Sequence, residues 1–272
     1  MKPRVHALWI VSMLICLAFA SSAGAEVMNW TIGGVQREAI VLAPAKKTSS
    51  GKAPLLFAFH GHGDNMEDFA GGIAIQKFWP EAIVVYPQGL PTNPAVDPDG
   101  FGWVYKTGED GQRDLKFFDA MLETMHTKFA VDDQRIYATG FSNGGMFTYV
   151  LWGTRAKLFA AFAIVAGRIV PEIQLTDPKP ALHIAGENDA TVPFKVQQDA
   201  MRVVREVDGA DKQGSSCGQN CTLYPSSKGA PVMIYIHSGG HVYPDNASEM
   251  IAKFFKEQSL GPEAVTGHKA GQ

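Results

Sequence analysis

Cysteine is scarce in this chain, with three in 272 residues. Cys16 lies in an apolar stretch near the amino terminus, so only Cys217 and Cys221 remain for the body of the protein. That pair cannot supply the four ligands of a structural zinc site. It is also too few for a disulfide-dense small fold. Long hydrophobic runs are missing as well. The best, Ala7 to Ala20 (ALWIVSMLICLAFA), has 14 residues, short of the roughly 20 that cross a bilayer as a helix. Nor is there a strong charge of either sign: 24 Lys and Arg face 27 Asp and Glu, a net of −3. A mildly acidic chain argues against a nucleic-acid partner. There is no internal repeat and no low-complexity linker.

What the amino terminus does have is Lys2 and Arg4, the apolar run, and then SSAGA with Ala23 and Ala25 in A-x-A register. This is the pattern of a secretory signal peptide, with cleavage expected after Ala25. Cys16 follows Ile15 rather than a small residue, which disfavours a lipoprotein signal. The expected organisation is a signal peptide over 1–25, one catalytic α/β domain over 26–260 and a flexible tail over 261–272. Cleavage would remove two basic residues and no acids, leaving 22 against 27 and a charge of −5. The destination is extracellular or periplasmic, with no membrane partner. In that setting Cys217 and Cys221, in SSCGQNC, are expected to form a disulfide closing a small surface loop.

Short apolar runs alternate with longer amphipathic ones. LLFAF (55–59), AIVVY (82–86), RIYAT (135–139), AAFAIVA (160–166), ALHIA (181–185) and VMIYI (232–236) have strand length. They are apolar almost throughout, as strands covered on both faces must be. MNWTI and REAIVL alternate more and suit an opening antiparallel hairpin. Leu115, Phe118, Leu122, Met125 and Phe129 form one stripe on a helix from about Gln112 to Lys128. Further helices are expected over 144–152 and 194–207. A last helix carries Ala247, Met250, Ile251, Phe254 and Phe255, with Asn246 and Glu249 as its capping box. PTNPAVDPDG (91–100) reads as a loop. The alternation predicts an α/β fold: a mostly parallel, doubly wound sheet with helices on both faces.

In such sheets sites form beyond the carboxyl ends of strands. Four strand ends carry reactive residues: HGHGDN after LLFAF, GFSNGG after RIYAT, GENDAT after ALHIA and HSGGH after VMIYI. Ser142, in G-x-S-x-G between a strand and a helix, has the context of a nucleophile elbow. A serine hydroxyl is a weak nucleophile and needs a base within reach. His241 is the candidate base and Asp189 the acid that orients it, with Glu187 as the less favoured acid. The chain order Ser142, Asp189, His241 is the Ser, acid, His order of one hydrolase class. The oxyanion donors would be the Asn143 N–H and an N–H of the HGHG loop near His62. His60, Trp103 and Tyr243 are candidate substrate contacts, while His183 and His237 read as structural. Two other readings compete. His60, His62 and Asp64 spell H-x-H-x-D, the start of a two-metal hydrolase site, but position 65 is Asn where a histidine would continue it. A non-catalytic secreted binding protein would have lost one of the three residues, and all three are present.

These segments, from FHGHGDNMEDF through VVYPQGL, AVDDQRIYATGFSNGGMFTYVL, LFAAFAIVAG and HIAGENDATVPF to GGHVYP, resemble the polyhydroxybutyrate depolymerase-like esterases. That group includes the feruloyl and acetylxylan esterases of carbohydrate esterase family one. The resemblance runs from about Leu55 to the last helix. It implies an α/β-hydrolase fold and a serine carboxylesterase that uses Ser142, Asp189 and His241, without metal or organic cofactor. It also implies a small-molecule, polysaccharide or polyester ester as substrate. Tyr243 departs from the tryptophan expected after the histidine, which touches the pocket rather than the chemistry. Polymer depolymerases of this kind often carry a linker and a polymer-binding domain. No segment here reads as either, so feruloyl or acetyl esters of plant polysaccharide are expected ahead of hydroxybutyrate oligomers.

Overall fold

Side chains along LLFAF point alternately to two sides of one sheet, as a strand's period of two requires. Leu55, Phe57 and Phe59 enter one hydrophobic cluster, and Leu56 and Ala58 enter another. This double burial explains why the run is apolar throughout. The computed structural model describes residues 24–105 and 112–261. Its strands are β1 (Ala25–Ile32), β2 (Val35–Leu42), β3 (Ala53–Phe59), β4 (Ile83–Pro87), β5 (Leu90–Asn93), β6 (Asp97–Gly102), β7 (Val131–Phe141), β8 (Ala161–Val165), β9 (Ala181–Gly186), β10 (Ser215–Gly218), β11 (Cys221–Tyr224) and β12 (Val232–His237). The α-helices are α1 (Met66–Ile73), α2 (Gln112–Lys128), α3 (Asn143–Arg155), α4 (Phe194–Asp208) and α5 (Ala247–Lys256).

Ten strands form one sheet in the order β1-β2-β4-β3-β7-β8-β9-β12-β11-β10. The stretch from β4 to β12 in that order is parallel. Antiparallel hairpins extend both edges. Parallel neighbours need crossover connections, and helices supply most of them. Helices α2, α3 and α4 bury their apolar stripes on one face, and α1 and α5 on the other. Trp152, Phe57, Phe118 and Phe162 are fully buried in the first layer; each such ring contributes about 2–3 kcal/mol by leaving water. Because β3 lies between β4 and β7, the strand order reverses there, and a crevice opens beyond the strand ends. The expected doubly wound α/β architecture is the observed one.

Two local expectations need correction. PTNPAVDPDG is no simple loop, because β5 and β6 pair as a small antiparallel hairpin, with Pro91 opposite Phe101. Two strands of four and six residues, largely uncovered, need no apolar alternation, so periodicity could not show them. The hairpin is instead held by polar bonds: Arg113 donates to the Leu90 and Pro91 carbonyls, and Gly63 N–H to Phe101 O. Helix α1 was not anticipated; Asn65 caps it by accepting the Asp68 N–H at 2.8 Å. The capping box at α5 does not form. Asn246 has helical dihedrals and no capping bond, and its side chain donates to the Tyr235 hydroxyl. Cys217 and Cys221 are bonded as expected, and the surface loop they close is the turn between two short edge strands, β10 and β11. Residues 1–23 of the expected signal segment (1–25) and residues 262–272 of the expected tail (261–272) lie outside the described residues. No helix among the described residues is long and apolar enough to cross a membrane.

One buried acid makes the fold's stability depend on pH. Asp208, at the end of α4, is fully buried. Its Oδ1 accepts the Lys179 N–H at 2.9 Å, while Oδ2 has no partner among the described residues. Burial pushes its pKa up to about 8 from 3.8. The folded protein thus holds a proton that the unfolded chain releases near pH 4. Stability from this group is full below that value and is lost as pH rises through 8, at up to about 1.4 kcal/mol per unit. Asp208→Asn is expected to flatten that loss in urea unfolding compared at pH 5 and pH 8.5. Equal losses in both proteins would contradict the assignment.

Candidate active site

The turn after β7 is strained. Ser142 has φ 54° and ψ −113°, a region that costs a non-glycine residue about 1–3 kcal/mol and survives only where the surroundings enforce it. They do so here. Ser142 N–H donates to Val165 O at the end of β8, and Ser142 O accepts the Met146 N–H of α3. The flanking glycines have no room for a side chain. A Cβ on Gly140 would stand 2.3 Å from the Gly144 carbonyl, and one on Gly144 would stand 2.2 Å from Phe59 O. The Ser142 side chain is left partly exposed at the amino terminus of α3.

Two other strand ends converge on it. The loop after β9 and the loop after β12 are tied by Glu187 N–H to His237 O, Asn188 N–H to Gly239 O, and Asn188 Nδ2 to Ser238 O. This lattice places His241 between serine and acid. His241 Nε2 lies 2.8 Å from Ser142 Oγ, and Nδ1 lies 2.8 Å from Asp189 Oδ2. The imidazole is mostly buried and the Asp189 carboxylate wholly so. Asp189 Oδ1 accepts the Thr191 and Val192 N–H groups at 2.9 Å each. Glu187, the alternative acid, is exposed. The Phe141 ring packs against the imidazole with centroids 5.0 Å apart.

The expected oxyanion residues flank the serine. Asn143 N–H belongs to the first residue of α3, where no helical carbonyl precedes it. The Asn143 side chain is fixed: Oδ1 accepts Trp103 N–H at 2.7 Å and Nδ2 donates to Trp103 O at 3.0 Å. No acceptor among the described residues takes the His62 N–H. The half-exposed His62 ring faces Asp97 of the β5–β6 hairpin, with Nε2 3.3 Å from Oδ2.

Two of the three expected substrate contacts, His60 and Trp103, are corrected by burial. His60 is fully buried and its ring is spent internally: Nδ1 donates to Gly61 O at 2.6 Å and Nε2 accepts Gly89 N–H at 2.9 Å. Burial lowers its pKa, which suits this neutral form. Trp103 is fully buried and its Nε1 donates to His60 O. Both shape the HGHG loop from beneath. Tyr243 is partly buried, with its hydroxyl against Ser248 Oγ and its ring edge-on to Phe141, so it backs the ring that backs His241. These engagements leave the H-x-H-x-D reading with no converging ligands: His60 has no free ring nitrogen, and His62 turns to the hairpin. A cleft of about 460 Å³ between the β8–β9 loop and α4 is lined by neither Ser142 nor His241.

Sequence reading missed Gln197. It sits on α4, fully buried, and donates from Nε2 to Asp189 Oδ2 at 2.9 Å. A signal was available: Gln197 shares the buried stripe of Ala200, Met201 and Val204, and a polar residue at an apolar position demands a partner.

Known proteins are similar to this chain in sequence and in fold. Residues 100–179 match the model of the prolyl oligopeptidase family, a span that includes Ser142 but ends before Asp189 and His241. The chain is 28% identical over 280 residues to a probable feruloyl esterase C of Aspergillus niger, covering 96% of this chain and 95% of that one. It is 30% identical over 215 residues to a probable feruloyl esterase C of Aspergillus clavatus, covering 75% of each. Among solved structures, an acetyl xylan esterase from Aspergillus awamori superposes with a TM-score of 0.66 at 15% identity, covering 85% of this chain and 99% of that one; this likeness shows the fold. The chain belongs to the feruloyl esterase-like family of α/β-hydrolases.

Proposed function

We propose that this protein is a secreted serine esterase that cleaves feruloyl or acetyl esters of plant polysaccharide through an acyl-enzyme. The observation that carries the reading is the unbroken chain Ser142 Oγ, His241, Asp189, with both links at 2.8 Å, on a turn strained at the serine. Ser142 Oγ–H donates to His241 Nε2. As Oγ attacks the ester carbonyl, that proton passes to Nε2. Asp189 stabilises the resulting imidazolium and holds its Nδ1–H toward the carboxylate. The carbonyl oxygen becomes an oxyanion facing the Asn143 and His62 N–H groups, each worth roughly 3–4 kcal/mol in the transition state. Collapse breaks the bond to the alcohol, which takes the proton from Nε2. Water then repeats the steps, releasing the acid and restoring the serine. Secretion is supported by the basic and apolar amino-terminal pattern and by the Cys217–Cys221 disulfide.

The relatives named as feruloyl esterases support placing feruloyl and acetyl esters first. Methyl ferulate and acetylated xylan are expected to exceed hydroxybutyrate oligomers in kcat/KM, with activity insensitive to a chelator. A pocket that lacks the right contacts loses about 10–200-fold per missing group. Faster turnover of the oligomers would replace the substrate assignment. Inactivation by the chelator would overturn the mechanism.

A further inference from the structure

Asp189 accepts four hydrogen bonds, and one of them comes from a side chain that no strand end supplies. Gln197 Nε2 lies 2.9 Å from Asp189 Oδ2 and 2.7 Å from Val192 O. Both oxygens can only accept when the carboxylate is ionised, so the nitrogen of the amide must face them. The amide oxygen, Oε1, then faces the other way, toward His183 Nε2 at 3.4 Å. An acceptor there requires His183 to carry its proton on Nε2. His183 is buried, and burial pushes its pKa down to about 4, so the ring is neutral and Nδ1 has no proton. Nδ1 in turn lies 2.9 Å from the Tyr149 hydroxyl, which must donate. Every donor is thereby assigned in one direction: Tyr149 O–H to His183, His183 Nε2–H to Gln197, Gln197 Nε2–H to Asp189.

We infer that Gln197, oriented by His183 and Tyr149, is a positioning residue that keeps Asp189 an acceptor turned toward His241; this rests on the catalytic reading above. Oδ1 takes Thr191 and Val192 N–H, and Oδ2 takes Gln197 and His241. Four donors hold the carboxylate in one rotamer. His241 can then present only its Nδ1–H to Asp189, which leaves Nε2 basic toward Ser142. The relay is buried: Gln197 is fully inaccessible and His183 nearly so, and the Tyr149 ring is fully covered. Burial strengthens these bonds and makes any mismatch costly. The ionisable groups facing the relay are His241 and His237 from β12 and its loop, His183 from β9, Tyr149 from α3, and Asp208, whose carboxyl is electrostatically coupled to Tyr149.

Gln197→Leu removes the donor, and Gln197→Glu keeps the shape but places a second carboxyl against Asp189. With the leucine, Oδ2 loses a partner and its charge bears more heavily on His241. The acid limb of the kcat/KM profile is then expected to move up by roughly half a unit to one unit. kcat is expected to fall about 10- to 100-fold with KM little changed. With the glutamate, activity relative to the native enzyme is expected to fall as pH rises from 6 to 8, because two carboxylates cannot both ionise cheaply at this distance. Thermal melts of both variants separate folding loss from this effect, and the isosteric glutamate covers the case in which the leucine variant does not fold. Folded variants with an unmoved acid limb and a constant activity ratio would overturn the inference. Ser142→Ala, assayed alongside, separates the two readings. Retained turnover in Ser142→Ala removes the nucleophile assignment. An inactive Ser142→Ala with unmoved Gln197 profiles removes the positioning role alone.

Discussion

His241→Ala is expected to lower kcat on methyl ferulate or acetylated xylan by about 10⁴- to 10⁶-fold, with KM little changed. Among the described residues, the imidazole is the only group hydrogen-bonded to Ser142 Oγ, at 2.8 Å, and it can take the proton. Without it the serine attacks as a neutral hydroxyl, which is a poor nucleophile at neutral pH. What survives is stabilisation by the oxyanion donors and substrate binding, which belong to other segments. Asp189→Asn is expected to cost roughly 10⁴-fold by a different route. An amide at that position can turn its NH₂ toward His241 and accept nothing from Nδ1, so the ring adopts the tautomer that presents a proton to Ser142. Steady-state kinetics with a melting curve for each variant checks this. A loss below about 100-fold in the folded His241→Ala protein would show that another group serves as the base.

Gly144→Ala is expected to damage both stability and activity, although it adds a single methyl group. Its Cβ would stand 2.2 Å from Phe59 O and 2.5 Å from His60 O, both backbone atoms that cannot swing away. Relief requires α3 to lift from the end of β3, and α3 carries Asn143 while its cap is Ser142. Displacements near 1 Å at a reacting centre cost on the order of 100-fold in rate. Overpacking of a tight contact costs about 1–3 kcal/mol or more in stability. Gly71→Ala, inside α1 with open space around its Cβ, is the contrasting control and is expected to stabilise by about 0.5–1 kcal/mol. Urea unfolding and kcat measured on both variants test the pair. If Gly144→Ala were as benign as Gly71→Ala, close approach would not be what the elbow glycine provides.

Most of the frame was legible because parallel strands covered on both faces leave an unambiguous mark. LLFAF, RIYAT, AAFAIVA, ALHIA and VMIYI are the centres of β3, β7, β8, β9 and β12. The stripe from Leu115 to Met125 lies within α2, whose bounds are the expected ones. The three residues Ser142, Asp189 and His241 were legible because strand ends concentrate at one edge, and reactive side chains at several of them must meet. The β5–β6 and β10–β11 hairpins were not legible, since short, exposed strands obey turn chemistry and polar ties rather than a hydrophobic period. Trp103 and His60 misled for a related reason. Their position beside the site is visible in sequence, but their burial is not, and burial turns a ligand contact into scaffolding. Gln197 escaped because its partner lies across a loop and a helix turn, a contact that only the packed structure creates.

The measurement that bears most directly on the serine mechanism is covalent labelling. An alkyl fluorophosphonate reacts with an activated serine by displacement of fluoride by Oγ, leaving one phosphonyl group on the enzyme. Intact mass should show one adduct per chain, peptide mapping should place it on Ser142, and activity should fall in proportion to labelling. His241→Ala should label far more slowly. An enzyme that stays fully active without a label, or carries it on a different residue, would contradict the account.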